Sequence, residues 1–207
     1  DDEGASREHA RVEKDGRGLN ATMEVRDGIL RHTKGGGEIA HTGGDDSPST
    51  LEGEVVRFSD VIAYLNHDLD DALRAGLLGP GDLSARPVGK LGATHGERIH
   101  NLVLGILGAT EPRTSEHVSM DAEMYAAMRD LREFMYERVY LHPGVKREMD
   151  RARGVLRRLW DTLLASESTR AEVMGRGASE PDVPRAVADF IAGMSHEEAF
   201  QYIRHRL

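Results

Sequence analysis

Cysteine is absent from this 207-residue chain. No disulfide framework and no thiolate site can form, so any metal must be held by His, Asp or Glu. Aromatic residues are scarce at 5%, and runs of β-branched residues are few, which argues against a β-sandwich. Positive charge is also short: 27 Lys and Arg stand against 36 Asp and Glu, a formal net charge of −9. A chain-wide nucleic-acid coat rests on positive charge, so that partner is disfavoured, while local arginines can still serve small anions. No apolar run approaches the roughly 18 residues of a membrane helix. The opening Asp1-Asp2-Glu3-Gly4 is neither a signal nor a transit peptide. The expectation is a cytoplasmic protein.

What the chain does have is helix formers. Ala, Leu, Arg and Glu dominate its second half, and no convincing strand emerges, so the predicted class is all-α. Residues 1–18 read as a frayed or truncated beginning, and 19–207 as one helical portion. Asn20 or Thr22 caps a first helix to about Thr33, interrupted by Gly28. Residues 34–48 are a Gly-rich loop without the pattern of a phosphate-cradling P-loop. Residues 77–94 read as a loop, and a helix follows from about Gly96 to Leu107 with Ile99, Leu102, Val103 and Ile106 inward. Ser119 caps a helix to about Leu141 on the spacing of Met124, Met128, Leu131, Met135 and Val139. Residues 144–166 form another. A polar loop over 167–181 leads to a helix from Asp182 to Ala192, and Ser195 to Glu198 form a capping box for the last one.

The longest helix is predicted over Ser49 to Gly76, opening on Ser49-Thr50-Leu51-Glu52 as a capping box and stopping at Gly76. Asp60, Tyr64, His67 and Asp71 recur on it at spacings of four, three and four. At about 100° per residue they share an arc of roughly 60°, with Asp68 beside it. Asp60 reads either as a divalent-metal ligand with an aromatic beside a bound group, or as a solvated or salt-bridged acid. His67 and Asp68 read as pocket-lining residues or as a polar helix edge. Asp70 and Asp71 sit where a helix dipole disfavours acids, which implies that at least one of them has a functional role or a basic partner such as Arg74. Arg129 and Arg132 precede Tyr136, a cluster suited to a phosphate. The basic run from Lys146 to Arg158 is a solvated face, or an anion or subunit contact.

Four segments carry a family resemblance. GRGLNATMEVRDGILRHTKG (16–35), PSTLEGEVVRFSDVIAYLNHDLDDALRAGLL (48–78), LREFMYERVY (131–140) and DFIAGMSHEEAFQYI (189–203) resemble the deoxyguanosine-triphosphate triphosphohydrolase-like proteins of the HD superfamily, in order and approximate spacing. The resemblance implies an all-α, HD-domain-like helical bundle with additional C-terminal helices. It also implies a hydrolase that splits a deoxynucleoside triphosphate into a deoxynucleoside and inorganic triphosphate. The family's divalent-metal site (Mg, Mn or similar) is built from an early His, a His-Asp doublet and a late Asp.

By the resemblance, Asp60 occupies the late Asp position. Tyr64 packs against the sugar, Asp68 bonds the 3′-hydroxyl, and Tyr136 sits at the sugar edge. Arg132, from its phosphate-suited chemistry and not from the resemblance, is added to them as a substrate-binding candidate. REHA (7–10) resembles the segment of a histidine that assists catalysis, which makes His9 a catalytic candidate. The early His and the naming doublet have no match in residues 1–18, and His67-Asp68 follows rather than precedes Asp60. The chain therefore reads as a C-terminal portion carrying part of an active site, inactive by itself. A homo-oligomer, often a hexamer, is implied as well. The alternative reading is a non-catalytic helical module for nucleotide binding or oligomerisation.

Overall fold

The computed structural model describes residues 19–32, 47–79, 81–83, 85–111, 113–165 and 183–206. The described residues form helices and no strands, as expected for the all-α class. They divide into two compact units, residues 1–139 and 140–207. No helix among them is long and apolar enough to cross a membrane.

In the first unit, α1 (Met23–Arg31) packs against α2 (Leu51–Arg74). Thr22 caps α1, and Thr50 caps α2 by accepting from the Gly53 amide at 3.1 Å. The capping box read at Ser49 is corrected. The Ser49 N–H is taken by the Asp27 carboxylate at 2.7 Å, and the third residue after the Thr50 cap is Gly53, which has no side chain to reach back. Gly28 does not interrupt α1 either. A Cβ there would meet the Gly53 Cα at an ordinary 3.6 Å, whereas one on Gly53 would stand only 2.6 Å from the Pro48 Cβ, so Gly53 is the position that must lack a side chain.

At its far end α2 stops as the Gly76 reading requires. Gly76 takes φ +68°, its N–H bonds to Leu73 O at 3.1 Å, and the Leu77 N–H reaches back to Ala72 O at 3.0 Å. This paired arrangement satisfies carbonyls that the helix leaves open.

The stretch read as a loop over 77–94 contains a short helix, α3 (Ala85–Leu91). Pro87 lies in its first turn, where a missing N–H costs nothing. After it, Thr94 and Glu97 form a reciprocal capping box that opens α4 (His95–Ala109). The next cap is Asp121 rather than Ser119. Asp121 accepts from the Glu123 and Met124 amides at 3.1 and 2.9 Å, while the Ser119 backbone is tied to the Thr110 hydroxyl through both N–H and C=O. From there α5 (Ala122–Met135) runs into a π-helical turn, Tyr136–Tyr140.

The core of this unit is Leu65, Leu69, Leu91, Leu102, Met128, Leu131 and Met135, all essentially inaccessible. Each such side chain contributes about 1.5–3 kcal/mol on burial. Glu54 is buried as well and accepts from the Val118 N–H at 2.6 Å, with His117 Nδ1 at 2.9 Å. A buried carboxylate thus ties the loop before α5 to α2.

In the second unit, α6 (Pro143–Ala165) packs against α7 (Val183–Ala192) and α8 (His196–Arg206). Leu163 and Val187 centre its core, with Trp160, Phe190 and Tyr202 around them. Ser195 and Glu198 form the capping box read from the sequence. On the basic face, Arg151 and Arg153 pair with Glu148 and Asp150 at the surface, and Arg151 also covers the Phe200 ring at 5.2 Å.

Candidate functional site

Two separations on α2 govern what its polar stripe can do. At 1.5 Å per residue, Asp60 and Tyr64 are about 6 Å apart along the axis, and Asp60 and Asp68 about 12 Å. Metal–oxygen bonds are only about 2.0–2.6 Å long, so Asp60 and Asp68 cannot share one ion. Among the described residues there is no group of three or more His, Asp or Glu that could hold a metal. At any one point along the stripe the described residues therefore offer a single carboxylate, not a donor set.

The stripe does converge on one phenol. Asp60, Tyr64 and Asp68 are all partly buried on α2, and Arg132 is partly buried on α5. Burial pushes the Tyr64 phenol above its ordinary value. Arg132 opposes that shift through its charge and a hydrogen bond to the phenol, and Asp60 and Asp68 add to it as neighbouring negative charges. So Arg132 and the three α2 residues form one polar surface. Its tyrosine stays neutral at any physiological pH and is oriented by a guanidinium.

This arrangement gives a direct optical expectation. In an alkaline titration followed by phenolate absorbance, Tyr64 titrates above the ordinary tyrosine range, and Tyr64→Phe removes that late component. Arg132→Leu moves it later still, because both effects that lower the phenol's pKa leave with the guanidinium. A shift downward in Arg132→Leu would contradict the contact. A raised folded-state value also means that the protein keeps this proton after an unfolded chain has lost it. The associated stability is complete below about pH 10 and fades as pH rises through the folded value.

Tyr136 is one helical turn beyond Arg132, opens the π turn and is 56% exposed. Such turns recur at functional sites because they re-aim side chains within a helix. His9 lies outside the described residues, as do residues 1–18, most of the Gly-rich loop and the polar loop over 167–181.

Further along α2 a second polar network was only half legible in the sequence. Asp71 does pair with Arg74, at 2.9 Å. Asp70 turns to α4, where it accepts from Arg98 Nη2 at 2.8 Å and lies 2.9 Å from His95 Nδ1. Arg98 is buried and also donates to Asn66 Oδ1 at 2.8 Å and to Ala93 O at 3.1 Å. The His95 ring stacks on His67, centroids 5.4 Å apart and planes within 9°. His67, read as a pocket-lining or edge residue, is thus an exposed ring whose plane is set from α4. The acid disfavoured at a helix C-terminal half was the one signal in the sequence for this network.

With the geometry in place, comparison with known proteins is informative. Residues 118–205 match the phosphohydrolase-associated domain. The chain is 42% identical over 195 residues to a deoxyguanosinetriphosphate triphosphohydrolase-like protein of Caldanaerobacter subterraneus subsp. tengcongensis, covering 91% of this chain and 52% of that protein. A protein of the same description from Clostridium tetani is 37% identical over 190 residues, covering 90% and 53%. One from Deinococcus deserti is 31% identical over 216 residues, covering 89% and 54%. The chain spans about half the length of the relatives it matches. Over about nine-tenths of its own length the chain is similar to the deoxyguanosinetriphosphate triphosphohydrolase-like proteins, and its later part matches the phosphohydrolase-associated domain.

Proposed function

We propose that this chain carries part of the active site of a metal-dependent deoxynucleoside triphosphate triphosphohydrolase acting on a dGTP-like substrate. The products are a deoxynucleoside and inorganic triphosphate. The observation that carries the reading is the convergence of Asp60, Asp68 and Arg132 on the Tyr64 phenol, in a chain similar to triphosphohydrolase-like proteins.

In this reading Asp60 is one ligand of a divalent ion, Mg, Mn or similar, and the other ligands lie beyond the described residues. When bound, such an ion polarises a phosphate oxygen and offsets its developing charge. The rest is done by the chain's own side chains. Tyr64 packs its neutral ring against the deoxyribose. Asp68 accepts the hydrogen bond of the 3′-hydroxyl. Arg132 holds the phenol in place and balances the two carboxylates beside it. Tyr136 borders the sugar where a 2′-hydroxyl would stand, and His9 is the candidate for assisting proton transfer. The assembly is a homo-oligomer working on the cytoplasmic nucleotide pool.

The role of Asp68 makes the reading testable without the metal ligands. The protein expressed from its whole reading frame should hydrolyse dGTP in preference to its 2′,3′-dideoxy analogue. A hydrogen bond to a charged group implies a kcat/KM ratio of about ten- to a hundredfold. Asp68→Ala should bring that ratio close to one. An undiminished ratio in the variant would remove Asp68 from the sugar.

A further inference from the structure

Helix α6 carries a longer apolar seam than its own unit covers. Val145, Met149, Ala152, Leu156, Leu159 and Leu163 recur at spacings of four, three, four, three and four. This is the repeat that keeps one line of side chains facing a partner helix. The last two members are fully buried, Leu163 against Val187 of α7. Earlier in the seam the burial stops. Met149 is 49% exposed and Leu156 48%, and Ala152 between them is exposed as well. Charges of opposite sign flank this open part. By helix geometry Glu148 lies about 70° to one side of the seam, while Arg153 and Lys146 lie about 70° and 90° to the other. The Glu148 and Arg153 side chains are 73% and 70% exposed. Each stands in a surface pair within α6, to Arg151 at 3.6 Å and to Asp150 at 2.9 Å, and such pairs hold a side chain only weakly.

We propose that the open seam is a contact between two copies of this chain, their α6 helices parallel and in register over residues 145–156. Each apolar residue of the seam then meets its counterpart in the second copy. The small Ala152 lets the two backbones approach between the Met149 and Leu156 layers. Glu148 of each copy comes opposite Arg153 of the other, because flanking sites five residues apart face each other across a parallel pair. The surface is thus self-complementary, as a two-fold contact requires. An antiparallel pair would turn the flank of Lys146 and Arg153 against itself, and like charges so placed repel. Nucleic acid, an anionic membrane or an acidic helix would each call for positive charge on both flanks, which Glu148 does not supply. The proposal rests on the homo-oligomer reading of the assembly and is independent of the role of Asp60.

The 207 residues hold no cysteine, so a disulfide mapped by mass spectrometry between two α6 peptides reports an introduced thiol alone. Met149→Cys is made in the protein expressed from its whole reading frame and oxidised. Met149 is exposed, so the change leaves the Leu163 core in place. The expected result is a disulfide between copies, since an in-register pair brings the two Cα atoms within the roughly 4.4–6.8 Å that such a bond spans. Adding Arg153→Glu should lower its yield about tenfold, because acids then face each other on both flanks. Adding Glu148→Arg to that protein should restore it. A disulfide that forms only when Met149→Cys and Leu156→Cys proteins are mixed shows an antiparallel pair and overturns the proposal. A yield indifferent to Arg153→Glu, or not restored by Glu148→Arg, also overturns it. No disulfide in a protein that light scattering shows to be an oligomer overturns the seam and leaves the homo-oligomer reading standing. No disulfide in a monomer overturns both.

Discussion

Arg98→Leu should lower the stability of the α2–α4 pair by about 3 kcal/mol, the low end for breaking a buried ion pair. The low end applies because the Asp70 side chain keeps 23% of its surface exposed, so water offsets part of the loss. The leucine removes three hydrogen bonds at once, to Asn66, Asp70 and Ala93. Asn66 is fully buried, so its side-chain oxygen is left without its guanidinium donor in a place that water reaches poorly. A stranded buried acceptor costs about 1–3 kcal/mol. Asp70→Asn should cost less, since Arg98 keeps Asn66 and Ala93 and the amide oxygen still accepts. Hydrogen exchange of the α2 and α4 amides reads the effect where it arises, because local opening energies differ between parts of a fold. A loss below about 1 kcal/mol for Arg98→Leu would show that the network is dispensable.

The same network marks where the sequence stopped being readable. The Asp60, Tyr64, His67, Asp71 stripe was visible because helical geometry alone relates those residues. The Asp70–Arg98 bond and the His67–His95 stack join positions 28 residues apart in the chain, at two turns of two helices that a periodicity rule treats separately. The caps tell the same story on a smaller scale. Ser49 and Ser119 have the right chemistry to cap, but Asp27 and Thr110 claim their backbone groups from afar. Thr50 and Asp121 do the capping instead.

The short helix α3 was hidden by Pro87 and Gly89, which ordinarily punctuate loops. Val103 fits the apolar spacing of α4, yet no described part of the chain covers it. Arg132 was named as a phosphate contact from its chemistry. Its placement against Tyr64 depended on how α5 packs on α2, which side-chain spacing within one helix cannot supply.

The central claim is that Asp60 is one ligand of a catalytic metal site, and one measurement tests it most directly. Metal-dependent release of inorganic triphosphate from dGTP is followed with the protein expressed from its whole reading frame, for the wild type, Asp60→Ala and Asp71→Asn. Asp71 is the control because it is on the same face of α2 but exposed and paired with Arg74. Loss of a ligand removes charge stabilisation worth several kcal/mol, and each 1.36 kcal/mol is tenfold in rate. The account predicts a fall of at least about a thousandfold for Asp60→Ala and little change for Asp71→Asn. An Asp60→Ala protein that releases triphosphate at the wild-type rate would contradict it.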